Sequence, residues 1–136
     1  MNVFVDTSIW SLAWRRDRPE SSAGARLLEE ALQRGDMVVT TGLVLQELLQ
    51  GFRGPKQRMR IIDALSTLPL IPPDRGDHIA AADLRNQCRR KGIQIGTIDA
   101  LLAQLCIRHE LLMLTADVDF ERIAALTPLR LAGLRP

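Results

Sequence analysis

The sequence is poor in cysteine and histidine, and this shortage excludes several kinds of site. Only two of its 136 residues are Cys and two are His. Cys88 and Cys106 have neither a metal-ligand spacing nor a redox-motif spacing, so we expect no structural zinc and two reduced, partly buried thiols. His78 and His109 are expected to be structural or exposed rather than catalytic.

Long hydrophobic runs and targeting segments are also missing. No apolar stretch approaches the roughly 18 residues that a transmembrane helix requires. The N-terminus has no basic segment before Asp6, which argues against a secretory signal and makes the cytoplasm the expected location. Because no repeat, low-complexity tract or linker interrupts the chain, we expect a single domain over residues 1–136 and no membrane contact.

Lysine is scarce, although basic residues are not. Of the 18 basic residues 16 are Arg, and the formal net charge is +2. Arginine suits bidentate contacts to phosphate, but an arginine-rich genome would produce the same bias. The composition is therefore compatible with a nucleic-acid ligand without requiring one.

Short apolar segments alternate with helical patterns along the chain. Five such segments predict strands, at residues 3–5, 37–40, 70–71, 111–115 and 129–131. They are apolar on both faces, which is typical of a parallel sheet covered by helices on both sides. The sequence therefore predicts an α/β protein, a three-layer α/β/α sandwich with a five-stranded parallel sheet.

Three polar residues are predicted to cap helices. Asp77 is expected to be the N-cap of a helix that runs to Lys91, and Thr97 the N-cap of the next helix. Asp119 is expected to cap a short last helix, with its carboxylate accepting a hydrogen bond from a backbone N–H near Arg122.

Four acidic residues occupy positions that a parallel sheet brings to one edge. Asp6 ends the first strand, and Glu47 lies in the second turn of the helix after the second strand. Asp99 is in the first turn of a later helix, and Asp117 follows the fourth strand. Each acid alone has an ordinary explanation as a cap or a surface charge. Together they lie where ligands bind in open α/β sheets, outside the carboxyl ends of the strands.

Four carboxylates at one edge predict a divalent metal site. Their mutual repulsion is costly unless a cation compensates it. Oxygen ligands without nearby His or Cys favour Mg²⁺, for which Mn²⁺ can substitute, and hydrated Mg²⁺ suits phosphodiester hydrolysis. Without these four acids, 12 acidic and 18 basic residues remain, a formal charge of about +6. An acidic pocket on a basic body is typical of a nuclease.

At these acids the sequence resembles the PIN-domain family, and within it the VapC-type toxins of bacterial toxin–antitoxin pairs. Four segments carry the resemblance: VFVDTS around Asp6, VLQEL around Glu47, GTIDALLA around Asp99 and LTADVDF around Asp117. The resemblance implies a Rossmann-like sandwich with a five-stranded parallel sheet. It also implies Mg²⁺- or Mn²⁺-dependent endoribonuclease activity, a homodimer, and neutralisation by a cognate antitoxin encoded alongside.

The resemblance also assigns roles to individual residues. The acidic site would consist of Asp6, Glu47, Asp99 and Asp117. Of these, Asp6 and Asp99 would bind the metal directly. Thr7 and Thr115 would support the carboxylates through their hydroxyls, and Asp119 matches a less strictly acidic supporting position.

Basic and aromatic side chains outside the acidic site carry further hypotheses. The residues considered for RNA contact are Arg15, Arg16 and Arg18 in one group, and Arg53, Lys56, Arg58 and Arg60 in another. Trp10 and Trp14, spaced i, i+4, either pack in the core or line a groove for a second subunit or the antitoxin.

Two other functions remain open from the sequence. A metal-dependent phosphomonoester hydrolase would use similar carboxylates, but a haloacid-dehalogenase-type site needs an Asp two residues after Asp6, where Ser8 stands. A catalytically idle module that binds RNA or a protein partner would not need all four acids, and all four are present. Divalent-dependent cleavage of RNA separates these possibilities.

Overall fold

A computed structural model describes residues 1–14 and 23–132, which form four strands and seven helices. The elements follow the chain in the order β1 (Asn2–Val5), α1 (Thr7–Trp14), α2 (Ala23–Arg34), β2 (Met37–Val39), α3 (Gly42–Gly51), α4 (Pro55–Ser66), α5 (Arg75–Arg90), α6 (Thr97–Arg108), β3 (Leu112–Leu114), α7 (Asp119–Leu126) and β4 (Arg130–Leu131). None of the described helices is long and apolar enough to cross a membrane.

The sheet is parallel throughout and has the order β2-β1-β3-β4. In the central strand β1, the consecutive side chains of Val3, Phe4 and Val5 are all buried. Successive side chains of a strand point to opposite faces, so both faces of the sheet are covered. The predicted α/β sandwich is therefore confirmed.

The predicted five-stranded sheet is wrong by one strand, at residues 70–71. Leu70 forms only an isolated parallel bridge with Thr40. The Thr40 N–H donates to the Pro69 carbonyl over 3.0 Å, and the Ile71 N–H donates to the Thr40 carbonyl over 2.8 Å. In this parallel register the next N–H groups that would donate to the neighbouring strand belong to residues 69 and 73, and both are proline, so the ladder cannot extend in either direction.

The predicted cap of α5 is wrong by three residues. Asp74, not Asp77, is the N-cap, and its carboxylate accepts the Asp77 N–H over 2.8 Å. Asp77 returns a bond, because its Oδ2 accepts the Asp74 N–H over 2.9 Å, which completes a capping box. The Asp77 side chain is fully buried and paired with Arg108 of α6, so tertiary packing decides its position.

The predicted cap of α6 also differs. Gly96 is the N-cap and makes no side-chain cap bond, whereas Thr97 is the first helical residue. The shift by one residue leaves Asp99 in the first turn of α6, as predicted. The two thiols of Cys88 and Cys106 are free and buried in the core.

Candidate active site

Asp6 lies at the junction of the two central strands. Its N–H donates to the Leu114 carbonyl over 2.9 Å, which continues the β1–β3 pairing by one residue. Only 6% of Asp6 is exposed. Two hydroxyls, from Ser8 and Thr115, each donate to Asp6 Oδ2 over 2.9 Å. The carboxylate is therefore held at the carboxyl edge of the sheet, where the sequence predicts it.

Glu47 reaches the same edge from α3. This helix begins at the buried N-cap Thr41, whose hydroxyl accepts the Val44 N–H over 3.3 Å. In the second turn of this helix, Glu47 Oε1 accepts a hydrogen bond from Thr7 Oγ1 over 2.9 Å. Thr7 is the first residue of α1, so this bond joins the start of α1 to α3.

Asp99 is half-buried in the first turn of α6, and its environment is strongly acidic. Burial and the negative charges of the other site acids raise the pKa of Asp99 to about 6, from an ordinary value of 3.8. After burial, the contributing charges in order of size are Asp117, Asp6, Asp119 and Glu47. The structure therefore brings all four predicted acids near one another, and Asp119 with them.

The loop after β3 presents two of these acids. The Asp117 N–H donates to Thr115 Oγ1 over 3.0 Å, and Asp117 Oδ1 accepts the Asp119 N–H over 2.9 Å. The second bond closes an Asx turn that leads into α7. Asp117 therefore accepts the backbone bond at the start of this helix.

The expectation that Asp119 is the N-cap of α7 is wrong. Asp119 is the first helical residue, and its Oδ1 accepts a bond from the Arg122 side chain over 3.2 Å rather than from a backbone N–H. Its negative charge also contributes to the raised pKa of Asp99. Asp119 therefore belongs with the acidic cluster more closely than its sequence position suggests.

The donor set fits a hard divalent cation. Carboxylate oxygens of Asp99, Asp117 and Asp119 all lie within 4.8 Å of one another. Asp6 is outside this triplet among the described residues, although its charge acts on Asp99. Carboxylate oxygens without nitrogen or sulfur ligands are the set that Mg²⁺ and Mn²⁺ accept.

Ser8 is a residue of this site that sequence reasoning did not select. Besides donating to Asp6, its Oγ accepts the Ala116 N–H over 3.0 Å and lies 3.4 Å from Thr115 Oγ1. The available signal was its position two residues after a strand-ending acid, in the first turn of a helix. At that position a short hydroxyl side chain can reach back to the strand end.

Of the basic residues proposed for RNA contact, those that the structure describes lie outside this network. Arg53 and Lys56 are exposed at the connection between α3 and α4. Arg15, Arg16 and Arg18 lie outside the described residues. An RNA-binding role for either group stays a prediction.

Trp10 and Trp14 serve partly in the core and partly at a groove. Their rings stack with centroids 5.2 Å apart. Trp10 is buried and Trp14 is half-buried. Both line a surface groove together with Leu28 and Leu32 of α2. The burial of Trp10 supports the core hypothesis, and binding of a second subunit or the antitoxin in this groove stays a prediction.

Comparison with known proteins places this site in a family. The family model described as the PIN domain matches residues 3–126. Ribonuclease VapC11 of Mycobacterium tuberculosis and VapC ribonuclease Mb1587 of Mycobacterium bovis are each 29% identical over 136 residues, covering 98% of this chain and 99% of theirs. Ribonuclease VapC23 of Mycobacterium tuberculosis is 29% identical over 121 residues, covering 74% of this chain and 95% of its own.

Solved structures agree with this assignment. The structure of VapBC2 from Rickettsia felis, bound to a DNA fragment from its promoter, has a chain that superposes with a TM-score of 0.77 at 26% identity, covering 97% of this chain and 98% of that one. A chain of VapBC-1 from nontypeable Haemophilus influenzae superposes with a TM-score of 0.75 at 19% identity, covering 98% of both chains, and supports the fold alone. The acids at the carboxyl edge, the parallel sheet and the family match over residues 3–126 lead to one conclusion: the chain belongs to the PIN-domain family.

Proposed function

We propose that this protein is a divalent-metal-dependent endoribonuclease and the toxin of a toxin–antitoxin pair. The relatives that match nearly all of the chain are named VapC ribonucleases. Structures of similar fold contain VapBC pairs, one of them on promoter DNA. These names support RNA as substrate and a cognate antitoxin as partner. A cytoplasmic homodimer is part of the same proposal.

The acidic cluster carries the proposal, because carboxylate oxygens of Asp99, Asp117 and Asp119 lie within 4.8 Å of one another, and the raised pKa of Asp99 agrees with this crowding. Burial and four neighbouring acids lift this pKa to about 6, so near neutral pH a partly buried carboxylate is held ionised against repulsion. Such an arrangement opposes folding unless a cation binds there. A carboxyl group with a raised pKa, surrounded by further acids at the carboxyl edge of a parallel sheet, is typical of a reactive site.

The residues present suit a Mg²⁺ ion. In this proposal Asp6 and Asp99 bind the metal, with Asp117 and Asp119 completing the acidic surroundings. When bound, the metal would supply Lewis-acid polarisation of the scissile phosphate and a more acidic water. Mn²⁺ would substitute, because it accepts the same oxygen ligands.

The protein's own groups have separate tasks. Thr7 holds Oε1 of Glu47, so the other carboxylate oxygen can orient a water or take its proton. The Thr115 hydroxyl donates to the Asp6 carboxylate and accepts the Asp117 N–H. It therefore fixes the positions of these two acids relative to each other. Fixed positions matter because groups that need not reorganise during the reaction stabilise the developing charge most effectively.

Metal-dependent RNA cleavage by matched variants tests the proposal. The wild-type protein should cleave RNA with Mg²⁺ or Mn²⁺ and not with EDTA. Asp99→Asn should lower the rate on the order of 100-fold or more, because it removes a metal ligand. It should still fold, because it also removes like-charge repulsion and loses only about 0.3–1 kcal/mol of helix-terminal interaction.

The control variant is Asp63→Asn, which changes an exposed carboxylate of α4 and should cleave at the wild-type rate. Cleavage by Asp99→Asn at a rate near that of the wild type contradicts the metal-site assignment. RNA binding without cleavage in any divalent cation would instead support an idle binding module. Hydrolysis of a phosphomonoester in place of RNA would support the other alternative.

A further inference from the structure

The Asp6 carboxylate is held by two hydroxyls that come from different elements. Thr115 donates from the end of β3, and Ser8 donates from the first turn of α1, each over 2.9 Å to the same oxygen, Oδ2. Each hydroxyl has one proton, so both protons are committed to Asp6. The two hydroxyl oxygens lie 3.4 Å apart, and neither has a proton left to donate to the other.

The lone pairs of the same hydroxyls accept consecutive backbone N–H groups. Ala116 N–H donates to Ser8 Oγ over 3.0 Å, and Asp117 N–H donates to Thr115 Oγ1 over 3.0 Å. Ser8 therefore joins Asp6 directly to the loop that presents Asp117 and Asp119. This bond joins residues that are 108 positions apart in the chain, and it lies inside the acidic site.

Asp6 depends on such bonds for its direction. The terminal torsion of an Asp side chain is broad, so its rotamer alone does not aim the carboxylate. With Oδ2 holding both hydroxyl protons, Oδ1 has no hydrogen-bond partner among residues 1–14 and 23–132. Loss of one of the two hydroxyl donors would leave the carboxylate free to turn about the remaining bond.

We propose that Ser8 is a positioning residue for the metal site: its hydroxyl aims the free oxygen of Asp6 and holds the 116–119 loop at the distance that metal binding requires. The inference rests on the proposed function, because it takes Asp6 as a metal ligand. Groups that hydrogen-bond to metal ligands commonly change metal affinity or activity about 10- to 100-fold when they are removed.

The test measures Mn²⁺ affinity by calorimetry on the full chain, together with the melting temperature in EDTA. Ser8→Ala should bind Mn²⁺ about 10- to 100-fold more weakly, and its cleavage rate should recover as Mg²⁺ is raised. Its melting temperature should change little, because Ala116 is exposed and water can satisfy the freed N–H. Ser8→Thr restores the hydroxyl and should restore the affinity. Ser11→Ala, on the same helix, is the matched control.

The possible results separate the two proposals. Wild-type affinity in Ser8→Ala, or a melting temperature that falls without any change in affinity, overturns the positioning role and leaves the proposed function standing. Weak binding in Ser8→Thr as well as in Ser8→Ala also overturns it, because the hydroxyl would then not be the group that matters. A wild-type protein that neither binds Mn²⁺ nor cleaves RNA overturns the proposed function itself.

Discussion

Among single residues, Asp117 combines two tasks that need different atoms. Its Oδ1 accepts the Asp119 N–H over 2.9 Å, which is structural, while its charge contributes to the environment that raises the pKa of Asp99. Within residues 1–14 and 23–132, the Asp119 side chain accepts no backbone bond of this kind. Its carboxylate pairs with Arg122, a side chain that is 55% exposed.

The two tasks of Asp117 can be separated by two substitutions. Asp117→Ala should lose about 0.5–1.5 kcal/mol of unfolding free energy, because the Asp119 N–H at the start of α7 loses its side-chain acceptor. Asp117→Asn retains a carbonyl oxygen for that bond and should keep wild-type stability, while both variants lose metal affinity and cleavage. Denaturant unfolding in EDTA and Mn²⁺ calorimetry measure the two effects.

Asp119→Asn provides the comparison for this pair. It breaks only an exposed pair with Arg122, so the unfolding free energy should change by less than about 1 kcal/mol. Equal destabilisation by Asp117→Asn and Asp117→Ala would contradict the structural role assigned to Oδ1.

Among elements, the packing of α5 against α6 fixes the helix that carries Asp99. At one end of the pair, Arg108 of α6 donates to both oxygens of Asp77 on α5, over 2.7 and 2.8 Å. Burial alone would raise the pKa of Asp77, but the Asp74 N–H and the Arg108 guanidinium outweigh it and lower the pKa. Asp99 lies at the other end of the same helix, so this ion pair fastens the helix that carries it.

Removal of the Asp77 carboxylate should destabilise the fold. Asp77→Ala leaves the Arg108 guanidinium and the Asp74 N–H without their acceptor, at a cost of about 1–3 kcal/mol in unfolding free energy. Because the pKa of Asp77 is lowered in the folded state, its contribution is present above the ordinary value of 3.8 and is lost as the pH falls below it. Denaturant unfolding at pH 7 and at pH 3 should show a difference that shrinks in acid.

The control for this prediction is Asp83→Ala, which changes an exposed acid on the same helix and should have little effect. A difference between Asp77→Ala and the wild type that is as large at pH 3 as at pH 7 would rule out ionisation of Asp77 as its source.

For the whole molecule, the acidic site sets a dependence of stability on pH and metal. The folded state binds a proton at Asp99 with a pKa of about 6, against 3.8 ordinarily. Without metal, the folded protein therefore binds more protons than the unfolded chain between these values, and its stability falls as the pH rises through this window. A bound cation competes with that proton, so metal affinity should rise as the pH rises through the same window.

Thermal melts from pH 5 to pH 8 test this dependence. At a Mg²⁺ or Mn²⁺ concentration 100 times the dissociation constant, stabilisation should reach about 2.7 kcal/mol, or roughly 10 °C for a chain of this size. The shift should be small at pH 5, grow through pH 6 and level off above pH 7, because metal binding requires ionised ligands. In Asp99→Asn the metal-induced shift in melting temperature should no longer depend on pH. A wild-type shift that is equal at pH 5 and pH 8 would contradict the role given to Asp99.

Much of the fold was predictable because its signals are local. The apolar segments at residues 3–5 and 111–115 correspond to β1 and β3, and the first-turn position of Asp99 survives a one-residue error in the cap. The order of strands and helices alone indicates which acids face the carboxyl edge of a parallel sheet. For this reason Asp6, Glu47, Asp99 and Asp117 could be selected without coordinates.

The remaining features depend on partners that are distant in the sequence. The third predicted strand is reduced to one bridge by the prolines around Leu70, and Asp77 is drawn inward by Arg108, 31 residues away. The side-chain acceptor at the start of α7 is Asp117 rather than Asp119, and the hydroxyl of Ser8 accepts a hydrogen bond from a loop 108 residues further along the chain. Local propensity and chain order by themselves determine where most helices and strands lie and which acids stand at the carboxyl edge of the sheet. Hydrogen bonds and ion pairs between segments decide which oxygen each acid has available, because a short polar side chain acquires its partner only when the chain has folded around it.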